Sequence, residues 1–152
     1  MNFNIQDIKK LREDTGAGVL EVKQALETAG GDYEKAKAEL MKKVSSKAAK
    51  KSDRVTKDGL VESYIHAGGK VGSLIVLACE TDFVAKTDDF KKLAHEIAMQ
   101  VCTEDFNTVE EILEAEYIRD PGKKIIDLIN EVIAKVGEKV EVRSFTKFDV
   151  RA

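Results

Sequence analysis

Two histidines, two cysteines and one glycine-rich turn are the residues from which this chain could build chemistry. His66 falls at the tip of a predicted hairpin, and His95 beside the apolar stripe of a predicted helix. Spacing places no serine or cysteine next to either, so the pattern indicates no nucleophile–base pair. Cys79 and Cys102 lie inside apolar periodic segments and form no CxxC pair. They read as small core residues, not as a redox motif or a zinc site. TGAG at 15–18 puts glycines before a helix start, where backbone N–H groups could hold an anion. It lacks both GxxxxGK[ST] and GxGxxG, and no strand precedes it, so a plain helix–turn–helix corner is the simpler reading. The acidic residues are scattered over helix surfaces and read as solvated faces. The pattern supplies no phosphate cradle, metal cage or nucleophile. The expectation is a non-enzymatic protein, without cofactor or metal, that works by binding.

The elements that would position such a binding surface follow from length and patterning. A chain of 152 residues suits one domain, or a small module joined to a larger one. A formal net charge of −3 argues against a dedicated nucleic-acid binder, which would be basic overall. No apolar run approaches the roughly 20 residues that span a bilayer. The N-terminus MNFNIQDIKK has no apolar signal region, and a cytoplasmic protein is expected.

Residues 1–45 read as helices only. Ile5, Ile8 and Leu11 form one stripe; Val22, Ala25, Leu26 and Ala29 a second; Tyr33, Ala36, Leu40 and Val44 a third. TGAG and GGD break them apart, and Asp32 is a candidate cap. KKVSSKAAKKSDRVTK (42–57) is basic and poor in large apolar groups, so 46–57 reads as a linker. A basic run of this kind is usually solvated surface; it is also the candidate here for an RNA or ribosome contact.

Residues 58–152 read as an α+β domain. LVESYIHA and KVGSLIVLACE flank Gly68-Gly69 as a hairpin, and the continuous apolar run from Leu74 to Cys79 predicts a strand covered on both faces. Phe90, Leu93, Ala94, Ile97, Ala98 and Val101 predict a helix capped by Thr87 or Asp88. A short acidic helix around Val109–Ala115, a turn at RDPG and an amphipathic helix from Ile125 to Val136 follow, the last ended by Gly137. In the closing strand, alternation puts Val140, Val142, Phe148 and Val150 on one face and Phe145 on the other. A three-stranded antiparallel sheet packed with helices results.

Two aromatics sit where the pattern asks for none. Phe83 falls in the short polar connection ETDFVAK; from pattern alone the simpler reading tucks it under the sheet. Phe145 lies on an otherwise polar strand face, which could serve self-association.

At this point the residues match a known family. TDFVAK (81–86) resembles the signature of the elongation factor Ts family, the bacterial guanine-nucleotide exchange factors for elongation factor Tu. LREDTGAGVLEVKQAL (11–26), IHAGGKVGSLIVLACETDFVAK, FKKLAHEIAMQV and IAKVGEKVEVRSFTKFDV resemble further family segments in the family's order. The resemblance implies an N-terminal three-helix module like a ubiquitin-associated domain, followed by an α/β core. It implies that Leu11, Arg12, Val19 and Lys23 lie near the nucleotide domain of elongation factor Tu. It implies that Asp82 and Phe83, flanked by Thr81 and Val84, form a wedge at the magnesium and phosphate side of bound GDP. Val136 and Gly137, and more weakly His66, are implied near the partner. Longer family members carry extra sequence before the last helix, and some a second half-core; here EAEYIRDPGKK makes the connection directly. A homodimer using the sheet, around Phe145, is therefore expected.

Overall fold

The computed structural model describes residues 3–152. Asn4 caps the first helix, α1 (Ile5–Thr15), accepting the N–H groups of Gln6 and Asp7, while Asp7 answers by accepting the Asn4 N–H. This reciprocal cap satisfies donors that no helical carbonyl can reach. Gly16, at φ +72, ends α1 and donates its N–H to the Arg12 carbonyl. Thr15 fixes the corner: its hydroxyl donates to the Leu11 carbonyl and accepts the Ala17 N–H. The chain then enters α2 (Val19–Thr28) and, after the Asp32 cap, α3 (Tyr33–Ala49).

Leu11, Ala17, Val22, Ala25, Leu26, Ala36, Leu40 and Val44 make the core of this first unit, all of them on the stripes or corners read from the sequence. Two features differ. Helix α3 runs to Ala49, four residues into the stretch read as linker, because Ser, Lys and Ala there contain no helix breaker. The unit also includes residues 130–137, the second half of the late helix α7 (Ile125–Val136), whose Ala134 packs against the core. A Cβ on Gly16 would collide with the Glu131 carbonyl. The glycine is thus required twice, by its φ and by the close passage of α7.

The second unit comprises 54–129 and 138–152. Its sheet has the order β1 (Asp58–Ile65), β2 (Val71–Cys79), β5 (Val140–Asp149), antiparallel throughout. Gly68 and Gly69, both at positive φ, turn β1 into β2. Val71, Ser73, Ile75, Leu77 and Cys79 point to the face covered by α5 (Asp88–Val101), which buries Phe90, Leu93, Ala94, Ile97, Ala98 and Val101. The Ser73 hydroxyl donates to the Ala98 carbonyl at 2.6 Å, locking helix to sheet. The short helices α4 (Asp82–Ala85) and α6 (Val109–Glu114) and a hairpin, β3 (Glu116–Tyr117) with β4 (Asp120–Lys124), complete the unit. The segment read as a bare turn at RDPG is this hairpin. Gln100 fixes it by donating to the Glu116 carbonyl and accepting the Ile118 N–H.

The closing strand departs from simple alternation. Val142 pairs with Leu77, but Ser144 pairs with Val76, so Arg143 is an extra residue that bulges. A bulge shifts the two-residue alternation by one. Val140, Val142 and then Phe145, opposite Ile75, share the helix-covered face; Phe148, opposite Gly72, is on the other. The expected faces are corrected accordingly: Phe145 is half-buried, while Phe148 and Val150 are 70% and 73% exposed. The second correction concerns β2. Leu74 is 46% exposed and Val76 half-buried, whereas Gly72 and Ala78 on the same face are buried, so this strand is covered on one face and open only in the middle of the other.

Candidate functional site

β2 ends at Cys79, and within three residues the chain turns into α4, a single helical turn. Val84 and Ala85 point inward and are 7% and 8% exposed. They anchor the turn by its apolar side. Phe83 points the other way and is 80% exposed. The pattern-based expectation that this ring tucks beneath the sheet is thereby corrected. A phenylalanine withheld from the core forgoes about 1.5–3 kcal/mol of burial, so its display is a feature to be explained.

The polar side chains around the ring are tied down. Asp82 Oδ2 lies 2.7 Å from the Lys86 ammonium, one turn on, and that hydrogen bond holds the carboxyl below its usual range. Thr81 donates its hydroxyl to Glu138, and its side chain accepts no N–H from the helix it precedes. Thr87 accepts the Phe90 N–H and so caps α5 directly after α4 ends. Behind the turn, burial first and the Glu138 charge second push the Cys79 thiol up to about 11, so this cysteine is a buried neutral group. Of the residues expected here, Thr81, Asp82 and Phe83 reach the surface, whereas Val84 faces inward and cannot itself touch a partner in this conformation.

In the first unit, Arg12 and Lys23 are exposed and Val19 is 47% exposed. Leu11 is completely buried: it supports α1 from within and offers no contact surface. Sequence reasoning missed Leu20, which is 82% exposed at the start of α2. The signal was present, because Leu20 lies off the Val22/Ala25/Leu26 stripe on a face otherwise polar. His66 is exposed; the Tyr64 hydroxyl is 3.3 Å from its Nδ1. Val136 is half-buried, and Gly137 ends α7 at φ +74 with its N–H on the Ile133 carbonyl. Among the described residues no group of histidine, cysteine and acidic side chains is placed to hold a metal ion.

Phe83 on α4 and, separately, Val19 and Leu20 on α2 of the first unit are large apolar side chains exposed beside charged neighbours. Comparison with known proteins gives these residues their context. Residues 80–152 match the family model described as Elongation factor TS. Elongation factor Ts of Thermotoga petrophila is 41% identical over an alignment of 193 residues that covers 99% of this chain and 97% of the relative. That of Thermotoga maritima is 40% identical with the same coverage. The alignments are longer than the 152-residue chain, so these relatives carry residues that it lacks. Elongation factor Ts of Aquifex aeolicus is 45% identical over 154 residues, covering 98% of this chain but only 53% of the relative. The class is thus that of translation elongation factors. The chain belongs to the elongation factor Ts family.

Proposed function

We propose that the chain binds elongation factor Tu in its GDP-bound form and accelerates GDP release, with Phe83 as the wedge. The observation that carries the proposal is the exposed Phe83 ring on a helical turn whose other apolar residues, Val84 and Ala85, are buried. A rigid base lets the ring enter a partner pocket without first losing much conformational freedom, so the binding free energy can go into distorting that pocket. Asp82 would bring a carboxylate to the magnesium and phosphate side of the nucleotide, where release from Lys86 would let it compete with the phosphates for cations.

Exchange of this kind is a matter of linkage. A factor that weakens GDP binding is itself weakened by GDP to the same degree. Typical couplings of about 1–3 kcal/mol change affinity only some 5–150-fold, so several contacts acting together are called for. Arg12, Val19, Leu20 and Lys23 would anchor the first unit on the partner's nucleotide domain, and His66, Val136 and Gly137 would add weaker contacts. The module formed by α1–α3 would act as a ubiquitin-associated-like grip. No step needs a cofactor or covalent chemistry on this chain. Among the described residues no helix is long and apolar enough to cross a membrane, which suits a factor working on a partner in the cytoplasm.

The same reading includes a homodimer. Its surface is the open face of the sheet, with Val61, Ile65, Leu74, Phe148 and Val150 exposed, rather than the covered face that holds Phe145. The continuous apolar run of β2 from Leu74 to Cys79 is one that a second layer would cover. A second copy, presenting the same face, would supply it.

A polyanion contact through the basic segment finds less support. The groove beside α3 is lined by Lys42, Lys43, Ser46, Lys47 and Lys50, but Lys43 pairs with Glu39, and Lys47 with Glu21. The test of the main reading is release of a fluorescent GDP from elongation factor Tu. The wild-type chain should speed it, and Phe83→Ala should lose most of that effect while remaining folded.

A further inference from the structure

Two carboxylates tie the end of β2 to the residues that follow Gly137, each reaching in the opposite direction. Glu138 Oε2 accepts the backbone N–H of Glu80 at 3.0 Å and of Thr81 at 2.9 Å, and its Oε1 accepts the Thr81 hydroxyl at 2.5 Å. In return Glu80 Oε1 accepts the Lys139 N–H at 2.7 Å. The Arg54 guanidinium stands 3.3 Å from the same Glu80 oxygen.

The position of this clamp matters because α4 cannot orient itself. A four-residue helix is far shorter than the roughly 12–15 residues at which an isolated helix becomes even marginally stable. Its N-cap residue gives it no side-chain hydrogen bond. Orientation must come from outside, and two supports are present. Val84 and Ala85 fix the turn from behind. Glu138 fixes it from in front, by holding two consecutive peptide N–H groups immediately before Asp82. Rotation of either peptide plane would turn α4 as a body and swing the Phe83 ring. Hydrogen bonds to an ionised carboxylate are about twice as strong as neutral ones, which makes such a clamp stiff.

We propose that Glu138 is the positioning residue for Phe83: its carboxylate sets the direction in which the ring is presented, and Glu80 completes the clamp. The proposal rests on the wedge reading for its functional consequence, but its structural half stands apart from it. Glu138 acts through the peptides of Glu80 and Thr81 and need not touch the partner.

The experiment uses the full chain with elongation factor Tu preloaded with a fluorescent GDP and chased with excess unlabelled GDP. The maximal release rate and the half-saturating concentration are measured for wild type, Glu138→Gln, Glu138→Ala, Phe83→Ala and the double variant Glu138→Ala/Phe83→Ala. Loss of charge-assisted hydrogen bonds should lower the maximal rate of Glu138→Ala about tenfold with little change in half-saturation. Glu138→Gln, which keeps one acceptor oxygen, should fall between. In the Phe83→Ala background the Glu138→Ala change should cost no more than about twofold, the share carried by displacement of Asp82, a non-additivity that general destabilisation does not produce. Full additivity with Phe83→Ala, or a wild-type rate for Glu138→Ala, overturns the proposal. Amide hydrogen exchange on the free proteins separates this failure from failure of the wedge reading. Exchange at 81–86 should quicken at least about tenfold in Glu138→Ala while β2 stays protected. Unchanged exchange there overturns the clamp whatever the nucleotide assay shows. Quickened exchange combined with full activity of Phe83→Ala overturns the wedge instead.

Discussion

The carboxylate of Asp82 and the ammonium of Lys86 meet at 2.7 Å across the single turn that displays Phe83. The pair closes α4 on its solvent side, while Val84 and Ala85 close it on the inner side. Because the hydrogen bond from Lys86 lowers the Asp82 pKa, the contribution of the pair is present above the ordinary carboxylate range and is lost as pH falls through the lowered value. Lys86→Ala should return the Asp82 titration, followed by NMR, towards ordinary carboxylate behaviour. The melting temperature should hardly move, since an exposed i,i+4 pair contributes little to global stability.

Gly16 offers a sharper stability test. Its φ of +72 and the approach of the Glu131 carbonyl both exclude a Cβ. Gly16→Ala should destabilise the chain by more than about 1 kcal/mol. Thermal or urea unfolding would show this, and Gly30→Ala, with a similar φ but open space around it, should cost less.

Most of the helical stripes, the Gly68-Gly69 hairpin, the α+β class and the inward course of Phe90 through Val101 were legible in the sequence, because each depends on local spacing; Ile5, read onto the first stripe, is instead 70% exposed. What was not legible depends on pairing between distant residues. A bulge at Arg143 is defined only against β2, and without it the alternation assigns Phe145 and Phe148 to the wrong faces. The second half of α7 looks like one continuous amphipathic stripe, and nothing local says that it belongs with the N-terminal helices. Spacing likewise hid the exposure of Phe83, since a lone aromatic in a short connection ordinarily packs inward; only the family resemblance implied its display. Glu138 gave no signal because two of its bonds come from backbone N–H groups, which every sequence has, and the third comes from a hydroxyl, that of Thr81, far away along the chain.

The two faces of β5 should respond differently to mutation. Phe148→Asp places a charge on the open face of the sheet and should shift the protein from dimer to monomer in light scattering, with little loss of stability in the monomer. Phe145→Ala removes a half-buried ring opposite Ile75 and should lower stability by about 1–3 kcal/mol, read from urea unfolding. A wild-type chain that is monomeric at micromolar concentration would contradict the dimer.

Leu11 and Leu20 separate support from contact in the first unit. Leu11→Ala, at a fully buried position, should cost about 2–5 kcal/mol in stability. Leu20→Ala, 82% exposed in the free chain, should leave unfolding unchanged and weaken binding to elongation factor Tu in calorimetry. Equal affinity for the Leu20 variant and wild type would remove this residue from the contact.

The most direct measurement of the central claim is the rate at which fluorescent GDP leaves elongation factor Tu at saturating concentrations of wild type and of Phe83→Ala. Removal of a ring whose burial is worth about 1.5–3 kcal/mol predicts a loss of roughly 10–150-fold in the accelerated rate, with the circular dichroism melt unchanged. Equal acceleration by the two proteins would contradict the account.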